Sequence, residues 1–311
     1  MTIILDAHPL RVTIDPALGA SITDFSIAGP NTATDHTPIL RRTTPGTTDP
    51  GQTASFVMAP WTNRIQAAQF HFQGTKHQLR SNFPDATAIH GVARDAPWRI
   101  TDRTPVSARM VYDSRADENA NYPFPFACVQ RFELAPDHLS VELSVTNLGD
   151  TPMPATLGHH PHFNRHLFSA TEEPIIKIDV ASRYPCDNCI PTALPENDEH
   201  CERLRAGAEA GNHNLDDVFA GFNGRATITY PHSNIRLTLD AADIFTHLVV
   251  FTPRASEATD APPRPWFCIE PCTAVNNAFN MMDQGNPATG TRILDPGQSL
   301  ESSMRYRVEH L

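Results

Sequence analysis

The feature that most constrains the fold is a period of two. In LSVELSVTN, residues 139–147, Leu139, Val141, Leu143 and Val145 alternate with Ser140, Glu142, Ser144 and Thr146. Successive side chains of a strand point to opposite faces, so this segment has one apolar and one wet face, as in an antiparallel sheet packed on one side. The same alternation recurs in LRVTI, ASITDFSI, FHFQG, CVQRFELA, RATITYP, IRLTLD and HLVVFTP, with turn-forming clusters such as APDH, NLGDTPMP and FNGR between them. Helical periodicity is confined to two short stretches, 60–68 and 274–282, and no alternation of strand and helix suggests a parallel sheet. The expected fold class is all-β: a large antiparallel β-sandwich. Neither an internal repeat nor a domain boundary divides residues 1–311, so a single domain is expected.

The chain has 311 residues, and a chain of this size buries roughly three quarters of its unfolded surface. Its 28 prolines against 15 glycines fit many strand ends and loops, because proline cannot donate to a ladder. The Pro- and Thr-rich stretches 30–54 and 253–265 are expected as surface loops, the second interrupting two strands. A formal charge of −11 excludes the basic footprint of a nucleic-acid binder. No run of about 18 apolar residues is present, so no membrane span is expected. The opening MTIILDAHPL lacks the basic region of an export signal, which makes a cytoplasmic protein the expectation. In that compartment the six cysteines are expected as thiols. Cys186, Cys189, His200 and Cys201 have the ligand count of a tetrahedral zinc site, but structural zinc usually holds a module without its own core.

Five stretches bring reactive side chains into turn or strand context: PWTNRI (60–65), IHG (89–91), LGHHPHFN (157–164), LDDVF (215–219) and CIEPCTAVNNAFN (268–280). Glu270 follows an apolar run and precedes a proline. At a strand end beside a core, desolvation would raise its pKa toward that of a useful base; the bland alternative is a sheet-edge carboxylate held by an arginine. The crowded histidines either hold a metal or divide into one proton carrier and its pocket neighbours. If His160 faces a cleft, His162 shares that face and His159 points away.

Taken in order, these stretches resemble the aldose 1-epimerase (mutarotase) family. HGVARDAPWRI is similar to its His-Gly turn with a following Arg and Pro-Trp pair. YPFPFACVQRFELAPDHLSVELSVTNLGDTPMPATLGHHPHFN is similar to its central block. LDDVF with GFNGRATITYP, then IEPCTAVNNAFN with LDPGQSL, resemble its C-terminal half. The resemblance spans roughly residues 10 to 308 and implies a galactose mutarotase-like β-supersandwich with a sugar cleft. The implied reaction interconverts the α and β anomers of a free monosaccharide without a cofactor or metal. The implied catalytic residues are Glu270 as base, His160 as acid and His90 as a second pocket histidine. Arg64 and Asp216 are implied as sugar-binding residues.

Three positions depart from the family or bear on its branches. His162 stands where tyrosine is usual, and Asp217 where histidine often follows the first Asp. Arg94 matches a position used for phosphate in hexose-6-phosphate mutarotases, but the RGG-like turn of that branch is missing, so a free aldose is preferred. A non-catalytic sugar-binding protein would not need both proton carriers. A glycoside hydrolase would need two carboxylates, such as Glu270 and Asp216. The resemblance also leads to the expectation that His160 and Glu270 lie several Å apart with a pyranose between them. Both would be tuned near pKa 6–7, Glu270 giving the rising limb of a bell-shaped pH profile and His160 the falling limb.

Overall fold

Leu139, Val141, Leu143 and Val145 are all buried, as their period requires. Their strand, His138–Asn147, pairs with Phe126–Leu134 on one side and Ser299–His310 on the other. In the computed structural model, which describes residues 2–30, 35–256, 261–286 and 288–311, these strands are the middle of a nine-stranded sheet. That sheet continues through Ile235–Ala241, Arg225–Tyr230 and Ile175–Ile178.

The second large sheet has ten strands. Its first strands are the hairpin Ile3–Ala7 and Leu10–Asp15, then Ser21–Ala28, Ser55–Met58 and Gly158–Asn164. The order continues with Trp266–Cys272, His247–Phe251, Asp216–Ala220 and Ser182–Arg183. All its pairings are antiparallel. The two sheets face each other through one apolar layer. Tyr306 of the first sheet lies 6.0 Å from Phe25 and 6.1 Å from Phe163 of the second, between ring centroids. Each fully buried aromatic or aliphatic side chain in that layer contributes about 1.5–3 kcal/mol of transfer free energy, which locks the register on both sides. The sandwich expected from the period is the fold found.

Helices are few among the described residues. Residues 60–68 are not a helix: Arg64–Ile65 pairs with Ala88–Ile89, and a single 3₁₀ turn follows at Gln66–Ala68. Within 274–282 a helix does form, over Ala278–Asp283. A helix that the periodicity did not suggest occupies Glu199–Ala206. Asp198 caps it by accepting from the His200 and Cys201 amides, Glu199 and Glu202 lie in its first turn, and Gly207 ends it. Only Cys201 and Leu204 of it are buried, too short a stripe to stand out as a period. The described part of 30–54 holds the short strand His36–Pro38 and a 3₁₀ turn at Pro50–Gln52. Residues 253–265 do connect two neighbouring strands; 31–34 and 257–260 lie outside the described residues. No helix among the described residues is long and apolar enough to cross a membrane.

Candidate active site

The ten-stranded sheet has two faces with different contents. In Trp266–Cys272, Phe267 and Ile269 join the sandwich core, so Cys268, Glu270 and Cys272 face the other way. In Gly158–Asn164, Phe163 enters the core and His160 and His162 face away from it. His159, on the core side, lies 6.5 Å from Phe245 between ring centroids.

Register then assembles the site. Gly158 pairs with Cys272 and His162 with Cys268, so His160 falls between them, facing Glu270. On its other side His160 pairs with Phe56; Glu270 pairs with Val249, and Val249 with Val218. One row across the sheet therefore reads Phe56, His160, Glu270, Val249, Val218. The adjacent row reads His162, Cys268, Phe251, Asp216. These rows are the floor of an open cleft of about 1030 Å³, with His90, Arg64 and Arg94 on its walls.

His160 Nε2 lies 3.2 Å from Glu270 Oε1. The expected separation of several Å with a sugar between is corrected by this distance. Two residues opposed on adjacent antiparallel strands have Cβ atoms only about 5 Å apart, so their side chains meet. Glu270 is also not at a strand end: its strand continues through Pro271 to Cys272, and no arginine forms an ion pair with it among the described residues. It is 2% exposed, and its Oε2 has no hydrogen-bond partner. Burial pushes its pKa well above the usual carboxylate value; Asp216 adds to the shift and Arg64 opposes it. Burial moves His160 the other way, down to about 3, with Arg94 the next cause. Burial thus works against the charged form of each member, while their mutual attraction at 3.2 Å works for it.

Glycines allow two of the close approaches. Gly158 has Pro271 O and Met58 Cε at 2.8 and 2.9 Å from where a Cβ would stand, so the histidine strand can lie against its neighbours only with glycine there. Gly91 has φ of 73°, and a Cβ on it would meet Ala59 O at 2.0 Å. The turn presents His90, itself at φ of 65°, whose amide donates to Asn63 O. The His90 ring stands edge-on to His160 at 5.1 Å and to Phe56 at 5.4 Å. Burial, then Arg94 and His160, hold His90 well below the usual imidazole value, so it stays neutral.

Arg64 is fixed from three sides. Its carbonyl accepts from the Asn277 amide, its Nε donates to Asp85 at 2.9 Å, and its Nη1 donates to Asn63. Asp216 and Asp217 separate by the same parity that sorts the histidines. Asp216 lines the cleft with its side chain still open to solvent, and partial desolvation by the cleft walls pushes its pKa up. Asp217 turns away to Arg183, at 2.8 Å, and the same guanidinium binds Asp198. Arg94 lies with its guanidinium carbon 4.9 Å over Phe56, which in turn stacks on His160 at 4.6 Å.

His162 stacks on His160 at 4.7 Å with 27° between planes. With Cys268 these two histidines bring one donor atom each within 4.8 Å of one another. Imidazole lone pairs lie in the ring plane, so nearly parallel rings aim them side by side and not at one point. Cys186, Cys189, His200 and Cys201 do not form such a group among the described residues: Cys201 is buried under its helix, while the other two cysteines belong to a hairpin. Sequence reasoning missed Arg41, Phe56 and Trp266 as cleft residues. For Trp266 a signal existed, since it shares the parity of Cys268 and Glu270. Arg41 sits in an irregular stretch where no period points anywhere.

Residues 2–307 match the family model of aldose 1-epimerase, and the chain belongs to that family. The uncharacterized Escherichia coli K12 proteins YphB and YihR are relatives. YphB is 29% identical over 289 residues, covering 89% of this chain and 91% of its own. YihR is 26% identical over 242 residues, covering 74% and 75%. Among solved structures, a galactose mutarotase-like protein from Clostridium acetobutylicum superposes with a TM-score of 0.84 at 20% identity, covering 100% of this chain and 95% of its own. The GalM/aldose epimerase homologue from C. elegans gives 0.79 at 16% identity, with 100% and 99% covered. At these identities the superpositions establish the galactose mutarotase-like β-sandwich fold.

Proposed function

We infer that the protein is an aldose 1-epimerase that interconverts the α and β anomers of a monosaccharide with a free anomeric hydroxyl. The observation that carries this reading is the facing pair His160 and Glu270, 3.2 Å apart on the floor of the cleft. Opening a hemiacetal ring requires a proton off O1 and a proton onto the ring oxygen. Both oxygens are bonded to C1, so the two proton carriers must be near neighbours. A sugar lying over the pair, and not between its members, meets that requirement.

In the forward step the Glu270 carboxylate takes the O1 proton and the His160 imidazolium protonates the ring oxygen as the C1–O bond breaks. Rotation about C1–C2 in the aldehyde, followed by the reverse transfers, yields the other anomer. The steps balance without electron or group transfer, so the chemistry needs no cofactor. The reactive arrangement has the shared proton on His160, the form that burial of the pair disfavours. The Arg64 charge, which opposes the upward shift of Glu270, favours it. His90 braces the His160 ring edge-on. Arg64 and Asp216 hydrogen-bond ring hydroxyls, and His162 and Arg94 complete the pocket.

An imidazole opposite Glu270, in place of a second carboxylate, favours anomer exchange over glycoside hydrolysis. Retention of both proton carriers favours catalysis over sugar binding alone. The test is polarimetry on freshly dissolved pure anomers of glucose, galactose, xylose, arabinose and glucose 6-phosphate. Accelerated mutarotation that scales with protein concentration is expected; spontaneous rates throughout would overturn the reading.

A further inference from the structure

The charge balance of the cleft is the reverse of the chain's. Overall, acidic side chains outnumber basic ones, 35 to 24. The cleft is lined by five arginines, Arg41, Arg64, Arg94, Arg254 and Arg264, against three carboxylates, Asp49, Asp216 and Glu270. Arg64 and Arg94 have ion-pair partners in Asp85 and Asp95. Among the described residues no carboxylate forms an ion pair with Arg41, Arg254 or Arg264.

Arg41 and Arg264 gather at one place. Their guanidinium carbons lie 4.8 and 5.8 Å from the centre of the Trp266 ring. Each spends only part of its donor set, on backbone carbonyls: Arg41 on Gly51 and Thr53, Arg264 on Arg254. Arg41 Nε is buried and has no hydrogen-bond partner. Two cations held near one another lower each other's affinity for a proton, and Arg264 is among the causes that lower Arg41, after burial. Asp49 lies near enough to offset part of this. Such a grouping costs free energy in the empty protein and is relieved by an anion bound beside these guanidinium groups.

Position supports the same conclusion. Trp266 shares the cleft face with Glu270, four residues away, which is about 13 Å along a strand. That span exceeds one pyranose ring. With C1 over Glu270, one ring leaves that end of the cleft open, and an exocyclic group carried on C5 can point along the strand toward it, where the long arginine side chains meet it.

We propose that the preferred substrate is an aldose bearing an anionic exocyclic group, and that Arg41 and Arg264 beside Trp266 seat that group. The proposal rests on the epimerase reading of the same cleft. A sugar phosphate and a uronic acid share the required chemistry, so both are probes.

The test measures kcat/KM for anomer exchange by NMR exchange spectroscopy with three sugars: glucose, glucuronic acid and glucose 6-phosphate. At low ionic strength at least one anionic sugar should exceed glucose by about tenfold or more, and the advantage should shrink as salt screens it. Whichever anion wins identifies the source. Arg264→Ala, at an exposed position, should bring the anionic-to-neutral ratio toward one, mainly through KM, and Arg264→Lys should restore part of it. Arg41→Gln should act in the same direction. Glucose matching or beating both anions, or a ratio that Arg264→Ala leaves unchanged, overturns the anionic assignment while leaving the epimerase reading intact. Failure to accelerate exchange of any of the three sugars, or of the neutral aldoses named above, removes the epimerase reading and this assignment with it.

Discussion

Glu142 and Glu270 make an instructive pair. Each lies in the interior of a long antiparallel strand, on the face turned away from the shared core. Glu142 is exposed, with Arg131 and Ser303 across from it on its two neighbours. Glu270 is 2% exposed, with His160 and Val249 in the corresponding places. The difference lies in what covers the outward face. On the nine-stranded sheet water covers it, and a carboxylate there serves solubility. On the ten-stranded sheet the walls carrying His90, Arg64 and Arg94 rise over it, and the same side chain is desolvated next to an imidazole. Strand alternation makes both sites, but only the second can hold a proton for chemistry.

Paired substitutions test the contrast most strongly. Glu270→Gln retains shape and removes the base, so kcat for anomer exchange should fall roughly 10²–10⁴-fold, whereas Glu142→Gln should leave it within about twofold. Comparable activity in the two variants would break the comparison. His160→Asn should match Glu270→Gln in size, because each removes one end of a single proton transfer. A much smaller loss would mean that another group, such as His90, supplies the acid.

The proton inventory gives the next test. Since burial holds His160 down to about 3, its ring should remain neutral throughout the mildly acidic range. Glu270, pushed up, should remain protonated beyond the pH at which an exposed carboxyl ionises. The rising limb of the pH profile then follows loss of a proton chiefly from His160, and the falling limb loss chiefly from Glu270, although both limbs belong to the pair. Nitrogen NMR of the free protein checks this: a His160 ring that becomes charged near pH 6.5 would restore the opposite order.

Much of this is legible in the sequence. Period-two alternation is a local signal, so the sandwich and the outward parity of His160 and His162 could be read from LSVELSVTN and HHPH alone. The pairing of His160 with Glu270 was not legible. They are far apart in sequence, and only register across two strands shows that they touch. Arg41 and Arg264 were missed for a related reason: they come from stretches without periodicity and are brought together at Trp266 by the sheet. The short helix at Glu199–Ala206 did carry its cap signals, Asp198 and Gly207, but too small an apolar stripe for its period to be noticed.

Asp216 and Asp217 sharpen the comparison at smaller effect. Asp216→Asn should raise KM by roughly tenfold with little change in kcat, as expected for one hydrogen bond made equally in ground and transition states. Asp217→Asn should instead cost up to about 1 kcal/mol in urea unfolding through the loss of a partly exposed ion pair to Arg183. An exchange of these phenotypes would mean that the strand turns the other way in solution.

The smallest expected effect belongs to His162→Tyr. His162 stacks on His160, stands edge-on to Trp266 at 5.0 Å and directs Nδ1 toward Ala54 O at 3.4 Å. It offers a ring face and a polar tip, both of which tyrosine also has. Burial, then the neighbouring His160, keep it well below the usual imidazole value, so tyrosine removes no charge from the cleft. The larger ring must extend toward Trp266 or into the open cleft, where space is available. Exchange kinetics should therefore show kcat within about tenfold of the parent, with any change concentrated in KM. A loss as large as that of His160→Asn would make His162 a proton carrier in its own right. The pair on the floor would then have to be treated as a triad.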